Sequence, residues 1–201
     1  MRAPRGTARA LGALALVALT GGCGGTGGTT TLAGDPSSYL ITLSQLPTPD
    51  FIVYQAVKQV GPGWLDEASS TAVRRDGLVR AVAVEYYRNV SFSTSNGAIT
   101  LTVAVASFAT ATGAAAAMLH LDTALDARAG AKPVSTGPLG EGGHATTTPG
   151  TVEGVGALQI IVVWRVDNLI NSLVAEGRLG GLQLDQILPI AAAQTANERA
   201  G

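Results

Sequence analysis

Residues 78–108, LVRAVAVEYYRNVSFSTSNGAITLTVAVASF, decide the fold. Apolar and polar side chains alternate along most of this stretch, the period of a strand with one buried face. Asn96-Gly97 is a dipeptide favoured in two-residue type I′ turns, whose central positions both need positive φ. A tight turn there sets Ser95 opposite Ala98, Phe92 opposite Leu101, Val90 opposite Val103 and Arg88 opposite Val105. One face then carries Val82, Val84, Tyr86, Val90, Phe92, Ile99, Leu101, Val103 and Val105. The other carries Glu85, Tyr87, Asn89, Ser91, Thr100, Thr102, Ala104 and Ala106. A slip by one residue would mix the two sets, so the pattern predicts a long hairpin with one apolar face.

Downstream, residues 111–129 (ATGAAAAMLHLDTALDARA) carry Ala114, Met118, Leu121 and Leu125 at helical spacing, with Asp122 and Asp126 off that stripe. This predicts an amphipathic helix able to lie close to a sheet. Residues 130–156 hold eight glycines and three prolines and read as a long loop, a site candidate by position. Residues 157–166 (ALQIIVVWRV) and 169–176 (LINSLVAE) read as a second hairpin about Asp167-Asn168. Leu158, Ile160, Val162 and Trp164 share one of its faces, and Ile161 and Val163 the other, so it belongs inside the sheet. A last helix is expected over 183–199, with Leu184, Ile187, Leu188, Ala191 and Thr195 on one side. Pro189 falls in or near its first turn, where a missing N–H is tolerated; otherwise it kinks the helix.

Upstream, residues 51–60 (FIVYQAVKQV) read as a strand closed by Gly61-Pro62-Gly63, and 65–75 as a short helix. Residues 39–47 fit either a strand or a helical turn. The fold class is α+β: an antiparallel sheet of about five strands, containing two hairpins, packed by two main helices.

The chain opens with Arg2, Arg5 and Arg9, an apolar run at 10–19, and Thr20-Gly21-Gly22 before Cys23. That run is about half of the ~20 residues a bilayer crossing needs, so residues 1–22 read as an export signal. Small residues before a cysteine resemble the bacterial lipobox, with Thr20 where that motif usually has Leu. The resemblance implies that Cys23 becomes a lipidated, palmitate-bearing N-terminus. It would hold the protein to the outer face of the cytoplasmic membrane or to another envelope membrane. Residues 23–38, Gly-, Thr- and Ser-rich after the cysteine, read as a flexible tether. Residues 39–201 read as a single domain, large enough to bury roughly 70% of its unfolded surface.

Three of the 13 basic residues precede Cys23; the other 10 face 14 acidic ones, a formal charge of −4. No basic run is present, so nucleic acid is not an expected partner. Cys23 is the only cysteine, so no internal disulfide can form. Gly140-Glu141-Gly142-Gly143-His144-Ala145 matches G-x-G-x-x-A. That fingerprint works only where the turn enters a helix, and Pro149-Gly150 follows closely here. His120 and His144 are the only histidines. A zinc site needs three or four ligands, so neither metal nor cofactor is expected. No nucleophile–base pair or phosphate loop is visible. Aromatic residues make up only 4% of the chain, too few for a stacking platform, and Trp164 reads as core.

A lipobox-like leader, a Gly/Thr tether, the turn Ser44-Gln45-Leu46-Pro47, a hairpin and an Ala-rich helix come first. A loop with Leu139-Gly140-Glu141, a strand ending Trp164-Arg165-Val166-Asp167-Asn168, and a final helix follow. Over most of 39–199 this order resembles small lipoproteins of unknown function from high-GC soil bacteria. More distantly it is similar to mycobacterial LpqN-type lipoproteins, whose PsbP-like fold sandwiches an antiparallel sheet between helices. The resemblance supplies no catalytic residues.

The expected function is therefore that of a membrane-anchored, non-enzymatic binding or sensor-like module that docks a cell-envelope partner. Its expected surface is Glu85, Tyr87 and Asn89 on the outer hairpin face, with Glu141 and His144 from the 130–156 loop. One alternative is a carrier of an apolar or lipid ligand between the sheet and the alanines at 114–117. A second is a hydrolase using Glu141 and His144.

Overall fold

Seven strands and three α-helices follow one another in the described chain. They are β1 (Phe51–Gln59), α1 (Glu67–Arg75), β2 (Leu78–Arg88), β3 (Ala98–Phe108), α2 (Ala111–Asp126), β4 (Lys132–Val134), β5 (Gly143–Val152), β6 (Val155–Val166), β7 (Leu169–Arg178) and α3 (Leu188–Ala200). Short 3-10 turns lie at Pro36–Tyr39, Leu43–Gln45 and Leu184–Gln186. This computed structural model describes residues 31–60 and 67–200, the side chains of 67 and 68 excepted. The leader, Cys23, the first part of the tether, the Gly61-Pro62-Gly63 turn and Trp64 lie outside the described residues.

The strands form one antiparallel sheet in the order β1-β2-β3-β7-β6-β5-β4. The α+β class holds, but the five-stranded sheet does not: there are seven strands. The difference lies in 130–156, which supplies β4, β5 and the start of β6 instead of a long loop. Thr146, Thr147 and Thr148 are β-branched and suit a pleated surface. The prolines sit where no ladder bond is needed. Pro133 is on the outermost strand, β4. Pro149 lies past the 145–147 segment that β4 covers, where β5 has a neighbour only on the β6 side. Glu153 and Gly154, at φ 50° and 79°, join Val152 to its partner Val155. Both central residues have positive φ, as a type I′ hairpin turn requires.

The first hairpin forms with a different register. Tyr86 faces Leu101 and Val82 faces Val105, where the tight turn would have placed Phe92 and Arg88. The displacement is an even number of residues, so the residues within the strands keep their faces, but Val90 and Phe92 of the expected apolar face, and Asn89 and Ser91 of the polar one, fall outside the strands. Val82, Val84, Tyr86, Leu101, Val103 and Val105 are all buried in one core. Of Asn96 and Gly97 only Gly97 has positive φ, 80°, so the type I′ turn is not made. Residues 89–97 form a loop pinned from outside. Gly97 N–H donates to Gly181 O, and Arg178 Nε to Ser95 O. Arg88 Nη1 donates to Asn96 O and Ala98 O.

The second hairpin turns at Asp167-Asn168, where Val166 pairs with Leu169. Its two faces feed two cores. Ile160, Val162 and Trp164 pack with Ile187, Ile190 and Ala191 from α3 and its approach, and with Tyr39, Leu40, Ile41 and Leu46. Trp164 is fully buried, and its Nε1 donates to Thr195 Oγ1 at 2.9 Å. Residues at the end of the expected tether lie on this side: Leu32 N–H donates to Asn168 Oδ1, and Asp35 pairs with Arg80 at 2.8 Å. On the opposite face Ile161, Val163 and Ile170 meet Val73 of α1 and Ala114, Ala117, Met118, Leu121 and Leu125 of α2.

Candidate binding surface

α2 covers only part of its face of the sheet. The covered part is apolar; beyond it the face turns polar, as an uncovered strand face must to remain hydrated. Two rows across the strands define this region. One runs Glu85, Thr102, Val174; the other runs Tyr87, Thr100, Glu176, Gln159, Thr148. Glu176 is exposed and the other polar members are half-buried.

Two of these side chains are hydrogen-bonded to each other, and one of them to Arg128. Arg128 Nη2 donates to Gln159 Oε1 at 2.9 Å, and Gln159 Nε2 to Glu176 Oε1 at 2.6 Å. Burial pushes the Glu85 carboxyl above the usual carboxylate range; Lys58 opposes the shift and Glu176 adds to it. Tyr54 of β1 leans on Tyr87, with ring centroids 6.0 Å apart. The result is a band of alternating charge and amide groups flanked by two phenol rings, suited to a polar partner surface with an aromatic contact at one side.

The band borders the outermost strand, β1, where Ile52, Val53, Tyr54 and Val57 are 53%, 46%, 64% and 49% exposed. Register shifts between Val53 and Gln55 and between Gln55 and Lys58 bend this strand and re-aim its side chains. The far edge is protected differently: β4 has three residues, two of them Lys132 and Pro133.

The five expected surface residues fall in three places. Glu85 and Tyr87 lie in the band, and Asn89 is exposed just past the end of β2. His144 shares the α2 face but sits beside Val163 on β5, with Nε2 3.0 Å from Asp126 Oδ1. Nearby, burial raises the Asp122 carboxyl, His144 opposing and Asp126 adding to the effect. Glu141 lies at the far end of β6: Oε2 pairs with Arg165 Nη1 at 2.6 Å, and Oε1 accepts Asp167 N–H. Glu141 is thus bonded at the end of β6, whereas His144 lies beside Asp126 with its buried Nε2 making no hydrogen bond. The G-x-G-x-x-A match leads into β5 rather than a helix, so no pyrophosphate cradle forms. Among the described residues no group of three His, Cys, Asp or Glu is placed to hold a metal ion, and no helix is long and apolar enough to cross a membrane.

Gln159, Glu176 and Arg128 were not singled out from the sequence. The turn at Asp167-Asn168 already sets Gln159 opposite Glu176 by counting back along both strands. Arg128 follows the end of α2 and carries no such signal. An apolar recess of about 60 Å³ lies beneath α1 and α2, lined by Val73, Leu78, Phe108, Leu121 and Ile170 among others.

Fold and surface together define an α+β domain whose seven-stranded antiparallel sheet carries helices on both faces and is partly open on one. No protein-family model and no curated protein matches the chain. Among solved structures it is similar to the extracellular domain of PknH from Mycobacterium tuberculosis, with a TM-score of 0.51 and 12% identity, over 82% of this chain and 95% of that one. At this identity the likeness shows the fold alone. The expected likeness to LpqN-type proteins and the PsbP-like fold gains no support from these matches.

Proposed function

We propose that the chain is an exported, lipid-anchored binding domain without enzymatic activity, which docks a cell-envelope protein on the open half of its sheet. The observation that carries this reading is the polar band beside the exposed β1 strand, where Glu85 and Tyr87 lie in register with a hydrogen-bonded series of Arg128, Gln159 and Glu176. Export is supported by the leader ending at Cys23 and by the extracellular setting of the structurally similar PknH domain. Such a surface engages a partner through side chains already held by neighbours, which limits the ordering cost of binding.

A photo-crosslinking residue at position 87 in whole cells is expected to give an adduct of defined mass, absent when the residue replaces Ala192 on exposed α3 surface. Equal adducts from both positions, or none from position 87, would count against the proposal. A carrier site between the sheet and α2 is disfavoured by the recess of about 60 Å³ there, since an apolar cavity of roughly 150 Å³ is what holds a benzene ring; the larger cleft, about 590 Å³, is an open one beside α3, lined by Leu139 and Ala196 among others. Saturable one-to-one binding of a fluorescent fatty acid, blocked by Ala116→Phe or Ala117→Phe, would reverse that preference. The hydrolase reading would need activity in a broad substrate screen that disappears in His144→Ala.

A further inference from the structure

Among the described residues Glu198 is the one charged side chain with no exposed surface. It lies on the inner face of α3, one turn beyond Gln194, and both approach Asn171 of β7. Gln194 and Asn171 are also fully buried. Gln194 Nε2 donates to Asn171 Oδ1 at 2.6 Å and to Ala104 O at 3.4 Å. Left without partners are Asn171 Nδ2, Gln194 Oε1 and both carboxyl oxygens of Glu198.

The chemistry of these groups distinguishes the two protonation states. An ionised carboxylate brings only acceptors. Asn171 Nδ2 can serve it, but Gln194 Oε1 is then left facing negative charge with no donor. A protonated carboxyl brings an O–H that Gln194 Oε1 can accept, while Asn171 Nδ2 donates to the other oxygen. The three side chains then close into a satisfied ring. A half-satisfied buried set is costly, so the ring favours the proton.

We infer that Glu198 is a proton latch for the C-terminal helix: α3 docks with this carboxyl neutral, and loss of the proton releases the helix from the sheet. The surroundings supply little to hold the charged form. Burial pushes the carboxyl up to about 7, outweighing the opposing pull of the Asn171 amide and, less strongly, of Arg199 on α3 itself. Of the strands on this face, β6 and β7 bring Trp164 and Asn171, both uncharged, and the charged Arg80 of β2 is paired with Asp35 at 2.8 Å. The Pro36–Tyr39 turn brings the Tyr39 phenol, whose Oη accepts Gly34 N–H. The Leu184–Gln186 turn brings Asp185, which is exposed.

Hydrogen exchange on the mature chain, corrected for intrinsic rates, tests the latch. Between pH 5.5 and 8.5, opening of α3 relative to β7 is expected to rise about thirtyfold in the wild type. In Glu198→Gln, whose amide keeps a donor at every pH, it should stay level. A wild-type α3 that opens equally at both pH values overturns the inference, as does an equal rise in Glu198→Gln. Should that variant fail to fold, the wild type decides alone: a rise confined to α3 upholds the latch, and a rise shared equally by β7 defeats it.

Discussion

Gly140 illustrates how a single residue can carry a motif and a different purpose. In sequence it opens a nucleotide-like fingerprint. In the fold it has φ 57°, and a Cβ there would lie 2.3 Å from Arg165 O. The glycine lets the loop approach the end of β6, where Glu141 N–H donates to the same carbonyl at 2.8 Å. Gly140→Ala is expected to lower stability by about 2 kcal/mol or more, read from the urea midpoint. Thr195→Val keeps the shape but strips the buried indole of Trp164 of its acceptor, a loss of about 1–3 kcal/mol by the same measurement. Glu198 gives stability a pH dependence. Its carboxyl rises from 4.5 to about 7 on folding, so the folded state holds the proton more tightly. The stabilisation is complete below the unfolded value and is lost as pH rises through about 7. About 3 kcal/mol is at stake. The melting temperature of the wild type should therefore fall between pH 5 and 8, and that of Glu198→Gln should fall much less. Glu85 and Asp122 shift in the same direction, so a small slope should persist in the variant.

At the level of the element, turn chemistry misled where hydrophobic parity did not. Asn96-Gly97 has the favoured letters but lies at the end of a loop, because Gly97, Ser95 and Arg88 are held by bonds to the Gly181 and Arg178 segment and to the strand ends. Those are tertiary contacts, which no local reading contains. The apolar faces of β2 and β3 were legible all the same, since any even shift preserves them. β5 was illegible for the opposite reason: its threonines signal a strand, but Pro149 and the flanking glycines signal a loop, and only the edge position of Pro149 reconciles them. The turn in which both central residues have positive φ carries Glu153 at φ 50°, a backbone state Asn tolerates better. Glu153→Asn is expected to stabilise by about 0.5 kcal/mol, roughly 1–2 °C in Tm; an unchanged or lower Tm would show that the turn is not under that strain.

For the molecule as a whole, the sequence revealed the α+β class and the interior place of the β6–β7 hairpin, whose two apolar faces required cover on both sides. The polar band was half legible: Glu85 and Tyr87 alternate with core residues on one strand, whereas Arg128 joins them only through the packing of α2. Attachment at Cys23 is tested by metabolic labelling with a fatty-acid probe, which should mark the wild type and leave Cys23→Ala unlabelled. The strand order has a consequence for how the chain acquires its structure. β1, β2 and β3 are neighbours in sequence, and so are β4 through β7; the two meanders meet along one seam, where Val103 of β3 lies against Leu173 of β7. Each half can zip up through short-range contacts, but the seam must wait until the second half has been synthesised, and such long-range pairing is the slow step of folding. Until then β3 presents a bare, apolar edge, and a chain emerging stepwise from a translocation channel would expose it for as long as the second meander is delayed. By the same logic, two fragments divided within residues 127–131 carry complementary edges and should recognise each other across that seam.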